Sequence, residues 1–222
     1  MDWFTINPKF IRYFTDIITW PDTGQAIWPN LASLIFRPVQ AEDVDLIVEM
    51  HERSSAQTIF SRYHSPRVPT RQEIAQICQL NGENGRAIVA AIGGKNPAVV
   101  GLAYYIASAP DTAELALLVE DRYQGQGVGK QLLHQLTATA VAQGIHVFEA
   151  FVLPTNKPML HLLHQTGQVM QNKLVYGARE MRIQLKAVSP WAFADEWLLS
   201  KEPDRAMTFR ASEATRNLST PR

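Results

Sequence analysis

The stretch Glu114-Leu-Ala-Leu-Leu-Val-Glu-Asp-Arg-Tyr-Gln-Gly-Gln-Gly-Val-Gly-Lys130 limits the possible folds more than any other part of the chain. An apolar run, Leu115 to Val119, ends in charge and then in glycines at the alternate positions 125, 127 and 129. The following Lys130-Gln-Leu-Leu-His-Gln-Leu136 reads as a helix. A strand that turns through glycines into a helix N-terminus gathers unpaired main-chain N–H groups at one point, and the helix dipole adds partial positive charge there. Glycine takes positive φ and lets the main chain approach a phosphate closely. Phosphate binding is therefore the first functional expectation.

Three phosphate motifs compete for this stretch. A P-loop needs Gly, four residues, then Gly-Lys-Ser/Thr. Gly129-Lys130 is present, but Gln124 and Gln131 stand where Gly and the magnesium-holding hydroxyl belong, which excludes it. The dinucleotide fingerprint Gly-x-Gly-x-x-Gly is one residue longer than Gly125-x-Gly127-x-Gly129. Glu149 nonetheless lies roughly 20 residues on, where a ribose-binding acid is expected, so a nucleotide site stays open. The third motif fits without a gap. Val119-x-x-Arg122-x-x-Gly125-x-Gly127 matches the acyl-CoA signature Val/Ile-x-x-Gln/Arg-x-x-Gly-x-Gly/Ala. On these residues, in a strand-turn-helix context, the chain resembles the GNAT N-acetyltransferases.

The 222 residues suit one domain with extensions. The 21 basic and 21 acidic residues cancel, which gives no electrostatic reason to expect nucleic acid or an anionic membrane as partner. A lone cysteine, Cys78, excludes an internal disulfide framework and a cysteine-rich metal site, and it suits the reducing cytoplasm. No apolar run reaches the ~20 residues of a membrane span, and no signal peptide is read at the N-terminus.

Residues 1–33 crowd aromatics (Trp3, Phe4, Phe10, Tyr13, Phe14, Trp20 and Trp28) around a helix expected to start at Asn7-Pro8 and stop at Pro21. This segment is expected to pack on the main domain, with a homodimer contact as the other role open to it. A strand at 34–39, helices at 40–50 and 54–60, and a helix opened by the capping box Thr70-x-x-Glu73 follow. Strands at 87–92 and 98–107, joined by Gly93-Gly-Lys-Asn-Pro97, lead into the opening strand. Then come a helix at 128–143 ended by Gly144, a strand at 146–153, a helix at 158–165 ended by Gly167, and strands at 169–175 and 179–185. This order predicts an α/β (α+β) domain over 34–186, with a mixed sheet of about six to seven strands and helices on both faces. It is also the GNAT order. Residues 187–222 predict a short helix and then a polar, disordered tail.

The resemblance implies acetyl-CoA as substrate, no metal, and direct acetyl transfer to an amine. It places the pyrophosphate on the main chain of Gln124, Gly125, Gln126, Gly127, Val128, Gly129 and Lys130, with Arg122 and Lys130 in reach of phosphate. It pairs pantetheine with the exposed main chain of Leu117, Leu118 and Val119 like an added strand. Ser61-Arg-Tyr, Pro66-Arg67 and the setting of Glu114 are similar to the bacterial protein-lysine acetyltransferases within the family, which makes protein lysine the favoured acceptor and leaves a small-molecule amine open. There the residue matching Glu114 is the general base. An ammonium must lose a proton before it can attack, and a carboxylate partly buried beside the thioester is suited to take it. Asn156 matches a cofactor-contacting asparagine and is equally a helix N-cap.

Two positions depart from the family pattern. Leu163 stands where many members carry the tyrosine that protonates the departing thiolate, and Gln168 stands where a phenylalanine is usual. The first departure keeps a non-catalytic acyl-CoA sensor open. His134, His161 and His164 lack a metal-ligand spacing, and Cys78 lies on an apolar helix face, as a core residue rather than a nucleophile.

Overall fold

The computed structural model describes residues 34–186 other than Asn81 and Glu83. The aromatic extension 1–33 with its expected dimer contact, and the tail 187–222, lie outside these residues. The chain runs β1 (Leu34–Pro38), α1 (Val44–Arg53), α2 (Ala56–Tyr63), α3 (Arg71–Cys78), β2 (Gly85–Ile92), β3 (Ala98–Ala109) and β4 (Thr112–Val119). It continues with α4 (Val128–Ala142), β5 (Val147–Val152), α5 (Lys157–Thr166), β6 (Gly167–Val175) and β7 (Ala178–Leu185). Single 3₁₀ turns at Ala41–Asp43 and Asp121–Tyr123 precede α1 and follow β4.

Local chemistry sets many of these boundaries. Thr70 and Glu73 form the expected capping box at the start of α3. Ser55 caps α2 by accepting from Thr58 N–H. Gly144 takes φ +82° just past α4, a conformation open to glycine and strained for other residues.

All seven strands join one sheet in the order β1-β2-β3-β4-β5-β7-β6. Every neighbouring pair is antiparallel except β4 with β5, which is parallel. Strand residues alternate between the two faces, and each face has its own core. On one, α4 and α5 bury Leu132, Leu136 and Leu163 against Ala113, Leu115, Phe148 and Met181. On the other, α1 to α3 bury Ile47, Met50, Ile59 and Ile74 against Val89, Leu102 and Leu118. The second core takes nothing from β5, β6 or β7. Helices α1 to α3 thus stop short of half the sheet, and the edge of their cover falls at β4.

Gly167 begins β6 where a side chain has no room. A Cβ there would lie 2.0 Å from the carbonyl oxygen of Gln184. Gly167→Ala is expected to force the β6–β7 ladder apart and destabilise the fold by about 1–3 kcal/mol, read as a lower urea midpoint at unchanged m-value. An unchanged midpoint would mean that the start of β6 shifts freely.

Candidate functional site

The parallel pair β4–β5 holds register only at Thr112↔Val147, Ala113↔Phe148 and Glu114↔Glu149. Beyond Glu114 the strands part, while β4 stays paired with β3 as far as Val119↔Gly101. Two hydrogen bonds establish which main-chain groups this opens. Val147 N–H donates to Asp111 O on the β5 side, and Glu120 N–H donates to Val100 O on the β3 side. By alternation, the main chains of Leu115, Leu117 and Val119 turn toward β5, and that of Leu118 turns toward β3. Leu117 and Val119 therefore present a strand edge to the opening. Leu118 does not, and its side chain belongs to the α1–α3 core. The Val119 carbonyl is taken by Gln124, whose Nε2 donates to it at 2.8 Å. The narrow opening, about 30 Å³, is walled by Leu115, Leu117, Phe151, Asn156, Ser61 and Arg62.

The glycine loop lies at the far end of this edge. Gly125 and Gly127 take φ +70° and +88°, and a Cβ on either would meet no atom within 4 Å. They are glycines because of their backbone angles, and the space above them is open. Gly127 caps α4 without a side-chain hydrogen bond, and the first helical bond runs from Gln131 N–H to Gly127 O. The amides of Val128 and Gly129 thus head the helix with no partner inside it. Gly129 has a different task. A Cβ there would crowd Leu162 Cδ1 at 3.3 Å and Leu117 Cδ2 at 3.5 Å, so its absence lets α4, α5 and β4 meet under the loop.

The loop is anchored on both sides. Arg122 Nε donates to Glu120, a buried carboxylate that also receives Arg53 Nε at 3.0 Å. The Arg122 side chain remains 65% exposed, with further N–H groups to offer. Asp121 accepts from Ser55 N–H (2.8 Å), Ser55 Oγ (2.6 Å) and Thr58 Oγ1 (2.8 Å), which ties the loop to the first turn of α2. Gln124 adds a bond to Thr58 Oγ1 at 3.0 Å, and Gln126 Nε2 donates to Arg122 O. The two glutamine side chains thus brace the loop from within. Burial would raise the Asp121 pKa, but the bonds from Ser55 and Thr58 outweigh it and hold the carboxyl below its usual range.

A larger cleft of about 360 Å³ lies on the face covered by α1 to α3, lined by Tyr63, Arg67, Glu73, Ile77, Tyr104 and Ile106 among others. Ile106 is the cross-strand neighbour of Glu114, which places Glu114 at the cleft's edge. Three carboxylates stand near it. Glu73 is held by Arg67 at 2.6 and 2.9 Å and by Thr70, which together pull its pKa down to about 2. Glu149 is tied to Arg182 at 3.1 Å and to Ser108. Glu114 has no hydrogen bond or ion pair among the described residues. It is also exposed rather than partly buried as expected, because α1 to α3 do not extend over this end of β4.

Asn156 caps α5, accepting from Met159 N–H at 3.1 Å, and at the same time lines the opening. Leu163 is wholly buried in the α4–α5 core, so its position supplies no proton donor. His161 and His164 are exposed on α5, and among the described residues no group of three His, Cys, Asp or Glu side chains could hold a metal ion. Burial pushes the Cys78 thiol up to about 11, away from nucleophilic use. No helix among the described residues is long and apolar enough to cross a membrane.

Two sets of residues had escaped the sequence reading. The Ser55–Asp121 tie joins positions 66 apart, which no local pattern reveals. Arg62 entered only as part of Ser61-Arg-Tyr, yet it lines the opening and donates to Tyr104 Oη at 2.6 Å.

Comparison with known proteins agrees with this arrangement. The sequence model of the Acetyltransferase (GNAT) family matches residues 53–167, and the chain belongs to that family. It is similar to Acetyltransferase Pat of Mycolicibacterium smegmatis, with 29% identity over 134 residues, 60% of this chain and 40% of that protein. The chain therefore corresponds to less than half of that relative's length. Among solved structures, the GNAT domain of S. lividans PAT is 28% identical with a TM-score of 0.59, over 68% of this chain and 89% of that one. The fold is shared with YncA of Salmonella typhimurium, a putative acetyltransferase solved with acetyl-CoA. That match has 21% identity and a TM-score of 0.56 over 72% of this chain and 97% of that one.

The Asp121 tie has a pH signature. A lowered carboxyl pKa stabilises the fold above the carboxyl's ordinary value, and the stabilisation disappears as pH falls through the lowered value. Asp121→Asn is expected to lose about 1 kcal/mol at pH 7, the hydrogen-bond contribution discounted for exposure. The gap from wild type should close below roughly pH 4. Urea titrations from pH 3 to 7 measure it, and a gap independent of pH would contradict the charged role.

Proposed function

We propose that this protein is an N-acetyltransferase that moves an acetyl group from acetyl-CoA directly to an amine. The observation that carries this is the half-open β4–β5 pair ending beside a glycine loop and an uncapped helix N-terminus. It offers a strand edge for a thin polar arm and converging amides for a pyrophosphate. In this reading the main chains of Leu117 and Val119 bind the arm. The amides from Gly125 to Lys130 hold phosphate with help from Arg122 and Lys130, and Asn156 borders the arm's path. Leu118, facing β3, has only a packing role.

Glu114 is the general base. Its two neighbouring carboxylates are engaged with arginine, and Glu114 stands between the opening and the 360 Å³ cleft, where an amine would enter. The base takes a proton from the incoming ammonium and passes it to solvent, the neutral amine attacks the thioester carbonyl, the bonded nitrogen gives its surplus proton to the base, and the thiolate leaves. With Leu163 in the core, water re-protonates the sulfur. Protein lysine is the favoured acceptor, from the likeness of Ser61-Arg-Tyr, Pro66-Arg67 and Glu114 to the protein-lysine acetyltransferases, and the cytoplasm supplies both acetyl-CoA and such acceptors.

Incubation with labelled acetyl-CoA and a lysate of lysine-bearing proteins tests this. Label is expected on protein lysines. Acetyl-CoA binding without any transfer would instead establish a sensor, and transfer only to small amines would move the acceptor. Glu114→Gln should cut the rate by about 10²–10⁴ while leaving the dissociation constant for CoA unchanged. An undiminished rate would remove Glu114 as base.

A further inference from the structure

Arg62 lies in the last turn of α2, in the partition between the two cavities. On one side it lines the opening where β4 and β5 part, beside the side chains of Leu115, Leu117 and Phe151 and the polar Ser61 and Asn156. On the other side, its Nη2 donates to Tyr104 Oη at 2.6 Å. The guanidinium also sits 4.7 Å from the centre of the Tyr63 ring, and both tyrosines line the larger cleft. The ring face and the phenol hold the group in place, each a favourable contact for a guanidinium.

Charge balance separates Arg62 from most of the described arginines, and Arg179, whose Nη1 donates to Asn172 Oδ1 at 3.0 Å, shares its lack of a carboxylate. Arg37, Arg53, Arg67, Arg71, Arg122 and Arg182 each rest on an Asp or Glu. Arg62 has no carboxylate partner among the described residues. Its positive charge reaches its surroundings. The pKa of buried His51 is lowered chiefly by burial and further by Arg62, and the same two causes lower that of His64. A half-buried cation held by aromatic contacts, with no carboxylate beside it, is free to meet an anion that forms in the opening. Acyl transfer forms such an anion. As the amine nitrogen bonds to the carbonyl carbon, the carbonyl electron pair moves onto oxygen. It then returns, breaks the C–S bond and leaves its charge on sulfur. Glu114 passes the ammonium's proton to solvent and then takes the surplus proton of the bonded nitrogen, and water re-protonates the thiolate.

We propose that Arg62 is a catalytic residue whose guanidinium offsets the negative charge that develops on the thioester oxygen during attack. This rests on the acetyl-transfer reading above. The Tyr104 hydroxyl and Tyr63 ring position it, and Leu117 N–H, facing the same opening, adds a neutral donor. A charge-stabilising group of this kind acts on kcat, because the charge is absent from the ground state.

The test measures CoA thiol release by the full chain with poly-L-lysine as acceptor. For Arg62→Met, kcat is expected to fall about 10²-fold, with KM for acetyl-CoA and for acceptor close to wild type and CoA binding unchanged by calorimetry. Arg62→Lys, a point charge of different reach, should fall between the two. Tyr104→Phe keeps the charge but removes the hydroxyl that positions it, and should lower kcat by less than Arg62→Met does. Methylguanidinium should raise the rate of Arg62→Ala and leave wild type unaffected, a rescue that a purely structural role would not give. Should Arg62→Met fail to fold, the Arg62→Lys rate and this rescue decide. A wild-type kcat in Arg62→Met, or a loss confined to KM for the acceptor, would overturn the proposal and make Arg62 an acceptor-binding residue. No thiol release by wild type above the blank, with poly-L-lysine or with a panel of small amines, would overturn the transfer reading itself, and the role of Arg62 with it.

Discussion

The site depends on a ladder that stops early. Strands β4 and β5 share three registered pairs and then separate, though β4 continues to Val119 and β5 to Val152. In a closed sheet the main-chain groups of Leu117 would be consumed by the next strand. Here they remain available at the depth of the core, where an unsatisfied polar group is expensive. Main-chain polarity exposed inside a cleft needs a polar partner, and an amide-bearing arm laid along the edge completes the sheet that the chain leaves incomplete. The packing of Gly129 against Leu117 and Leu162 helps keep the gap, because it seats the first turn of α4 between β4 and α5.

Several layers of chemistry converge on β4. Its odd-numbered residues look into the α4–α5 core and direct their main chain toward β5. Its even-numbered residues look toward α1 to α3, and Glu114 escapes burial because those helices stop short of it. The loop that follows carries both the glycines that lead into α4 and Asp121, which holds α2 in place. The same strand therefore lines the opening, presents the carboxylate and anchors the helix that carries Arg62.

Much of this was legible in the residues. The glycine spacing, the apolar run before it, the Thr70 capping box and the punctuating Gly144 and Gly167 are local signals, and they placed the helices and strands within a few residues. Seven strands with helices on both faces matched the expected architecture. The rest was hidden for physical reasons. Which main-chain groups of β4 stay open depends on where the β4–β5 ladder ends, a property of strand geometry that side chains do not encode, so Leu117, Leu118 and Val119 read alike in sequence. The exposure of Glu114 depends on how far helices 50 residues earlier extend over the sheet. The meeting of Arg62 with Tyr104, 42 residues apart, is equally non-local. Leu163 was visible as a departure, and its complete burial shows that the position has become part of the core.

Helix α2 is tied at its first turn to the loop after β4 through Ser55 and Asp121, and at its last turn it carries Arg62. Its eight residues, at 1.5 Å each, span about 12 Å. The helix is thereby a ruler, with its zero at the glycine loop and its mark at the partition between the clefts. A residue inserted within it would move that mark by about 1.5 Å and swing it through roughly 100°, turning Arg62 off the opening while every loop contact stayed intact. The reach from the glycine loop to Arg62 is thus measured out by a single helix.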